Sequence, residues 1–164
     1  MAVTSAGLLL FRTSPTGGPV QVLLVHPGGP FWRHKDAGAW SIPKGEHPAE
    51  EDPLVAARRE FAEELGLAPP AGPFQGLGSV RQAGGKIVSA WAVEGDLDPS
   101  TVVSATVQVP WPPRSGSMLE VPEVDRAQWF DLDTARVRLN RGQVPLLDRL
   151  SAFLDGDHPD RAEP

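Results

Sequence analysis

The sequence predicts an α/β (α+β) fold in which a mixed β-sheet lies between helices. Three observations predict it. A well-bounded helix lies between Asp52 and Gly66. Apolar runs of strand length stand on both sides of it. A second amphipathic stretch, opened by Pro145, closes the chain. Elements that are each apolar on one face bury those faces against one another in layers.

The chain of 164 residues is long enough for one domain with a sizeable core, expected over 1–155, with 156–164 as a flexible C-terminal tail. Hydrophobic residues at 40% and charged residues at 22% place it among ordinary soluble globular proteins. Its net charge of −6 argues against a general nucleic-acid binder, which carries a basic patch. A small polyanionic substrate stays compatible, because a bound metal ion sets the local charge. With no cysteine there is no disulfide framework and no thiol nucleophile. The start, Met1-Ala2-Val3-Thr4-Ser5, lacks a charged n-region and a long apolar run, and no segment reaches membrane-spanning length. A cytoplasmic location is the resulting expectation.

Val3 to Arg12 reads as a strand apolar enough to be covered on both faces. Thr13 to Gly18 is a turn, and Val20 to Val25 a second strand expected to pair antiparallel with the first. His26-Pro27-Gly28-Gly29-Pro30 is expected to end that strand and open a loop running to Ala39. Within the loop, Phe31-Trp32-Arg33-His34-Lys35 sets aromatic and cationic side chains together. Such a group can stack a base and hold a phosphate. Equally, Phe31 and Trp32 can cover the core while Arg33 and Lys35 stay solvated. As lone histidines, neither His26 nor His34 reads as a ligand or base. Trp40 to Gly45 is a short strand and turn leading to the helix, where Lys44 is either a phosphate contact or a solvated lysine.

In the helix itself, Asp52 stands at the N-cap, Pro53 at the first helical position, and Gly66 at the left-handed residue past the end. Leu54, Ala57, Phe61 and Leu65 fall on one side. Glu60, Glu63 and Glu64 fall on the roughly opposite side, with Ala56 leaving space above them. Three carboxylates on one face repel one another by about 0.2–0.5 kcal/mol per exposed pair. A hard divalent cation, which takes oxygen ligands, reverses that sign. The competing reading is a solvated helix laced with ion pairs such as Arg59 with Glu63.

Farther along, Ala68 to Pro73 is a stiff connector. Phe74 to Gln82 and Lys86 to Glu94 read as a hairpin turning at Ala83-Gly84-Gly85, with Trp91 as core. Thr101 to Val109 reads as another strand. Trp111 to Ser117 is a loop whose Trp111 and Arg114 are either substrate contacts or surface cover. Glu120 to Asp125 reads as loop, Trp129-Phe130 as strand, and Asp131 as the cap of a short helix over Leu132 to Leu139. The last helix carries Leu146, Leu150, Phe153 and Leu154 at amphipathic spacing.

The segment from Gly45 to Leu67, 23 of the 164 residues, resembles the Nudix box, G-x5-E-x7-R-E-U-x-E-E-x-G-U. Gly45, Glu51, Arg59, Glu60, Phe61, Glu63, Glu64, Gly66 and Leu67 match its fixed positions. The resemblance implies a Nudix-type α/β/α sandwich. It implies a Mg²⁺-dependent pyrophosphohydrolase, with Mn²⁺ a possible substitute, acting on a nucleoside diphosphate linked to another group. It implies Glu60, Glu63 and Glu64 as metal ligands, with the backbone carbonyl of Lys44 beside them. Arg59 would orient a glutamate, and Glu51 would brace the loop and helix together with Gly45. Glu123, shortly before Trp129-Phe130, resembles an additional catalytic glutamate of many members, so the general base is either Glu123 or a box glutamate. The Trp-x-x-Pro-Lys-Gly approach at Trp40 to Gly45 resembles members acting on dinucleoside polyphosphates or diphosphoinositols. Two marks of subfamilies are missing: the chain has no Tyr, which members cutting diadenosine polyphosphates often carry at a place near Ala83 to Gly85, and Gln82 stands where members cutting ADP-ribose tend to carry Pro. Nucleoside triphosphates and dinucleoside polyphosphates are thus the expected substrates, with no nucleic-acid polymer and no membrane as partner. The alternative is a catalytically silent Nudix-fold nucleotide sensor. Such modules usually lose a box glutamate, and none is lost here. Neither reading settles whether the chain is a monomer or a homodimer.

Overall fold

A computed structural model describes residues 4–13 and 17–156. In chain order it contains β1 (Thr4–Arg12), β2 (Gln21–Pro27), β3 (Lys44–Glu46), α1 (Pro53–Leu65), β4 (Gln75–Arg81), β5 (Ile87–Glu94), β6 (Thr106–Pro110), β7 (Met118–Pro122), β8 (Val124–Asp131), α2 (Leu132–Arg138) and α3 (Val144–Leu154). The main sheet runs β4-β5-β1-β2-β8, with β3 also paired to β1. β1 and β5 are parallel, and the other neighbours in this sheet are antiparallel. The sheet is therefore mixed, as the sequence predicts. β6 and β7 form a separate two-stranded sheet.

Period-two alternation in β1 separates two cores. Ala6, Leu8 and Leu10 pack with Ala57, Phe61 and Leu65 of α1. Leu9 and Phe11 pack with Leu146, Leu147 and Leu150 of α3 and with Trp40. Each fully buried leucine contributes about 1.5–3 kcal/mol. Both faces of β1 are covered by helices, which accounts for its nearly unbroken apolar run.

The bounds of α1 follow its sequence in part. Pro53 stands in the first turn and Asp52 at the N-cap, but the Asp52 side chain makes no capping hydrogen bond. Gly66 is left-handed, with φ 69°, and its N–H donates to the Ala62 carbonyl. Ala56 is fully buried in the core beneath α1 rather than leaving space above the carboxylates.

Other expectations are corrected. The predicted strand from Thr101 shortens to β6. The N–H groups of Val103 and Ala105 instead meet the Leu65 and Glu63 carbonyls, which α1 leaves without helical donors. His26 and Pro27 belong to β2: they pair with Arg126 and Val124 across a register shift that absorbs the proline. Met118 to Pro122 is strand rather than loop, leaving Glu123 alone between β7 and β8. Asp131 does cap α2, its Oδ1 accepting from the Thr134 N–H at 2.8 Å. Met1 to Val3, residues 14–16 of the expected turn, and residues 157–164 of the expected tail lie outside the described residues. Among the described residues, no helix is long and apolar enough to cross a membrane.

Candidate active site

The site is built where β3 lands on α1. β3 pairs with β1 through Gly7–Lys44, Ala6–Gly45 and Ser5–Glu46. That pairing lays Gly45 against Glu60 so closely that a Cβ there would overlap the carboxylate. The Lys44 N–H donates to Glu64 Oε1 at 3.3 Å. The strand and helix are thus joined through two of the three predicted glutamates.

Arg59 gathers the rest. Its Nε and Nη2 donate to the two oxygens of Glu51 at 3.1 and 2.9 Å, a bidentate fork. Its Nη1 donates to Glu60 Oε2 at 2.6 Å and Glu63 Oε1 at 3.2 Å. One guanidinium therefore bridges the approach loop to two carboxylates of α1. The Glu51 hydrogen bond is the largest influence holding Arg59 above its ordinary range, and Arg59 in turn holds Glu51 below the usual carboxylate range.

The remaining carboxylates are short of positive charge. Burial pushes Glu64 up to about 8; Glu123 and Glu60 add to the shift and Lys44 opposes it. Glu60 is raised by burial and then by Glu63, despite Arg59. Glu123 is raised by burial and then by Glu63. Lys44 is pushed down, chiefly by burial and then by Lys86. Three carboxylates with raised proton affinity, beside the charge of Glu63, form a place for a proton or a cation.

A divalent cation fits this donor set in kind. The donors are hard carboxylate oxygens, and Mg²⁺ takes few ligands from protein and keeps several waters. Among the described residues, no three acidic, imidazole or thiolate side chains converge tightly enough to hold an ion by themselves. Glu60 and Glu63 are turned toward Arg59 instead.

Beside the cluster opens a cavity of about 220 Å³, lined by Lys44, Glu64, Glu123 and Trp32 among others. Of the predicted substrate contacts, Lys44 and Trp32 line it. Arg33 and Lys35 are exposed on the same loop as Trp32, with Lys35 Nζ 4.1 Å from the Phe31 ring centre. Trp111 and Arg114 lie at the tip of the β6–β7 hairpin and are not among the residues lining the cavity. The tip folds on itself instead, the Trp111 N–H donating to the Ser117 carbonyl.

His26, which did not read as a base, is fully buried and acts as a tether. Its Nδ1 lies 2.8 Å from Asp125 Oδ1 and its Nε2 2.6 Å from the Lys35 carbonyl. Both ring nitrogens are thus engaged, one by a side chain of β8 and one by the backbone of the aromatic loop. His26 fastens the aromatic loop to β8, two residues beyond Glu123.

Sequence reasoning missed the polar wall of the cavity. Ser41, Gln82, Asn140 and Gln143 line it, with Trp40 behind. These are uncharged side chains from three segments far apart in the chain, with only Asn140 and Gln143 sharing a turn. The one signal present was a glutamine immediately ahead of the apolar stripe of α3.

Comparison with known proteins places the fold and the family. The NUDIX domain model matches residues 1–150. An RNA pyrophosphohydrolase of Caulobacter vibrioides is 47% identical over 53 residues, 29% of this chain and 31% of that protein. The match thus spans about a third of that relative's length. Among solved structures, a C. elegans Ap4A hydrolase binary complex superposes with a TM-score of 0.65 at 23% identity, covering 93% of this chain and 98% of that one. The NUDIX domain of Shewanella oneidensis NrtR, complexed with ADP ribose, gives 0.61 at 17% identity, covering 94% and 89%. At these identities the two structures speak for the fold. With the family model matching almost the whole chain and the box glutamates set on α1, this chain belongs to the Nudix family of hydrolases.

Proposed function

We propose that the chain hydrolyses a phosphoanhydride bond in a nucleoside diphosphate linked to another group, a nucleoside triphosphate or a dinucleoside polyphosphate, with Mg²⁺ as cofactor and Mn²⁺ as substitute. The observation that carries this reading is the convergence of Lys44, Glu64 and Glu123 on one cavity at the face of α1 that bears Glu60 and Glu63. A nucleotide seated there has its phosphates at the carboxylate cluster and its base toward Trp32.

Glu60, Glu63 and Glu64, with the Lys44 backbone carbonyl, would hold the cation. A cation bound there neutralises phosphate charge and favours attack by water. The protein's own groups do the rest. Arg59 holds Glu60 and Glu63 in place and is itself fixed by Glu51. Lys44 meets phosphate as a point charge. Water attacks phosphorus, the anhydride P–O bond breaks, and the proton of water passes to a carboxylate. Glu123 suits that role, because it lines the cavity and its raised proton affinity favours accepting a proton.

The test is a substrate panel with Mg²⁺ and product identification: nucleoside triphosphates, dinucleoside polyphosphates, ADP-ribose, nucleotide sugars and 5′-triphosphorylated RNA. Hydrolysis of the first two classes is expected. Binding of nucleotide without turnover would instead establish a sensor, and preference for RNA ends would move the substrate to a polymer.

A further inference from the structure

The uncharged wall of the cavity is wired in one direction. Gln143 is fully buried, and its Oε1 accepts from the Ile42 N–H at 3.0 Å. A backbone N–H can only be met by the amide oxygen, so the orientation of this amide is fixed. Its Nε2 then donates to Ser41 Oγ at 3.0 Å and to Gln82 Oε1 at 2.7 Å. The Gln82 oxygen is thereby committed to the protein. Ser41 spends its own hydrogen on the Ile42 carbonyl at 2.7 Å. Asn140 repeats the pattern, its Oδ1 accepting from the Gly142 N–H at 3.0 Å. The turn carrying Asn140 is pressed against Gln82: a Cβ at Gly142 would come within 2.8 Å of the Arg81 carbonyl and of Gln82 Cα.

Gln82 and Asn140 line the cavity with their oxygens each accepting from the protein. What remains are two NH₂ groups, with no protein partner among the described residues. The polar wall is therefore a donor wall in a cavity that Trp32 also lines.

We propose that this wall reads the base of the substrate and selects a 6-oxopurine, guanine or hypoxanthine, over adenine. The inference rests on the nucleotide-hydrolase reading given above. Guanine offers acceptors at O6 and N7, whereas adenine offers N7 but turns a donor N6–H₂ toward the wall. An amide usually reads adenine by donating to N7 and accepting from N6 through its own oxygen. In Gln82 and Asn140 the oxygen is directed to Gln143 and to the Gly142 N–H, so the NH₂ is the group left for a base. Adenine would leave an amide donor facing an amine donor, and buried groups left unpaired are what make such sites selective. Trp32 supplies a stacking face that is indifferent to base identity.

The experiment compares guanosine, inosine and adenosine substrates sharing one phosphate chain, both as triphosphates and as symmetrical dinucleoside tetraphosphates. Inosine isolates O6 from the guanine 2-amino group. The expected result is kcat/KM about 10–100-fold higher for guanosine and inosine than for adenosine. Gln82→Glu and Asn140→Asp keep the oxygens that Gln143 and Gly142 use, and replace only the free NH₂. Each should shrink the guanosine-to-adenosine ratio about tenfold while keeping the melting temperature of the parent. In parallel, GDP and ADP binding is followed by tryptophan fluorescence without metal. Turnover with no base preference, or variants that leave the ratio unchanged, overturns this proposal alone. Preferential GDP binding without any turnover sustains it and overturns the hydrolase reading. Neither turnover nor selective binding overturns both.

Discussion

Glu60 occupies the space that a side chain at Gly45 would need. The glycine at the head of the box is required by a carboxylate fifteen residues later, across a strand–helix contact. Gly45→Ala should therefore leave the core intact but displace Glu60 from Arg59. Misplacing a group by about 1 Å costs about 10²-fold in rate. The expected outcome is a folded protein with kcat lowered by about that factor. Wild-type turnover for Gly45→Ala would show that Glu60 has no part in the reaction.

The charge on Glu64 makes the stability of the metal-free protein depend on pH in a definite sense. Its carboxyl titrates near about 8 when folded, against 4.5 in an unfolded chain. Between those values the folded state binds the extra proton, so stability falls as pH rises. The contribution is fully present below about 4.5 and is gone above about 8. In chelator, the melting temperature of the parent should decline across this window more steeply than that of Glu64→Gln, which cannot ionise. Saturating Mg²⁺ should lessen the decline. Turnover by Glu64→Gln should drop sharply while the variant remains folded. Parallel melting curves for parent and variant would remove Glu64 from this account.

Arg59 is asked for geometry as much as charge. It makes four hydrogen bonds from one planar group to Glu51, Glu60 and Glu63, and only a guanidinium can fork in this way. Arg59→Lys keeps the charge and loses the fork. It should lower kcat by about tenfold or more, with KM changing less, because the glutamates lose their fixed orientation. A pure KM defect would make Arg59 a substrate contact instead.

The fold and the carboxylate cluster were legible because both are written locally. The alternation in β1 and the three-and-four spacing of Glu60, Glu63 and Glu64 are each contained in a dozen residues. Thr101 to Ala105 misled because its β-branched composition suits a strand, while its N–H groups are claimed by the end of α1. His26-Pro27 misled because a proline ordinarily stops a strand, whereas β2 bulges past this one. The donor wall was invisible for a different reason. Gln82 and Gln143 acquire direction only through hydrogen bonds made across the fold, and the local turn that orients Asn140 does not show that they meet it.

The most discriminating prediction sets Glu123 against Glu120. Glu123 lines the cavity with Glu64, and burial followed by the Glu63 charge raises its proton affinity. Glu120 lies three residues earlier in the exposed β6–β7 hairpin, where its Oε2 accepts from Thr106 Oγ1 at 2.8 Å. If Glu123 accepts the proton of the attacking water, Glu123→Gln should lower kcat by about 10²–10⁴ with little change in substrate affinity. A metal-holding role would show differently: part of the loss should return as Mg²⁺ is raised to saturation. Glu120→Gln should behave as the parent at every Mg²⁺ concentration. Excess chelator should abolish turnover in all three proteins, since Lys44 and Arg59 alone cannot neutralise a polyphosphate among four carboxylates. The measurement is kcat at low and saturating Mg²⁺ for each protein. Near-normal turnover by Glu123→Gln, or a larger defect in Glu120→Gln, would return the base to a glutamate of the box, with Glu64 the first candidate because its proton affinity is already raised.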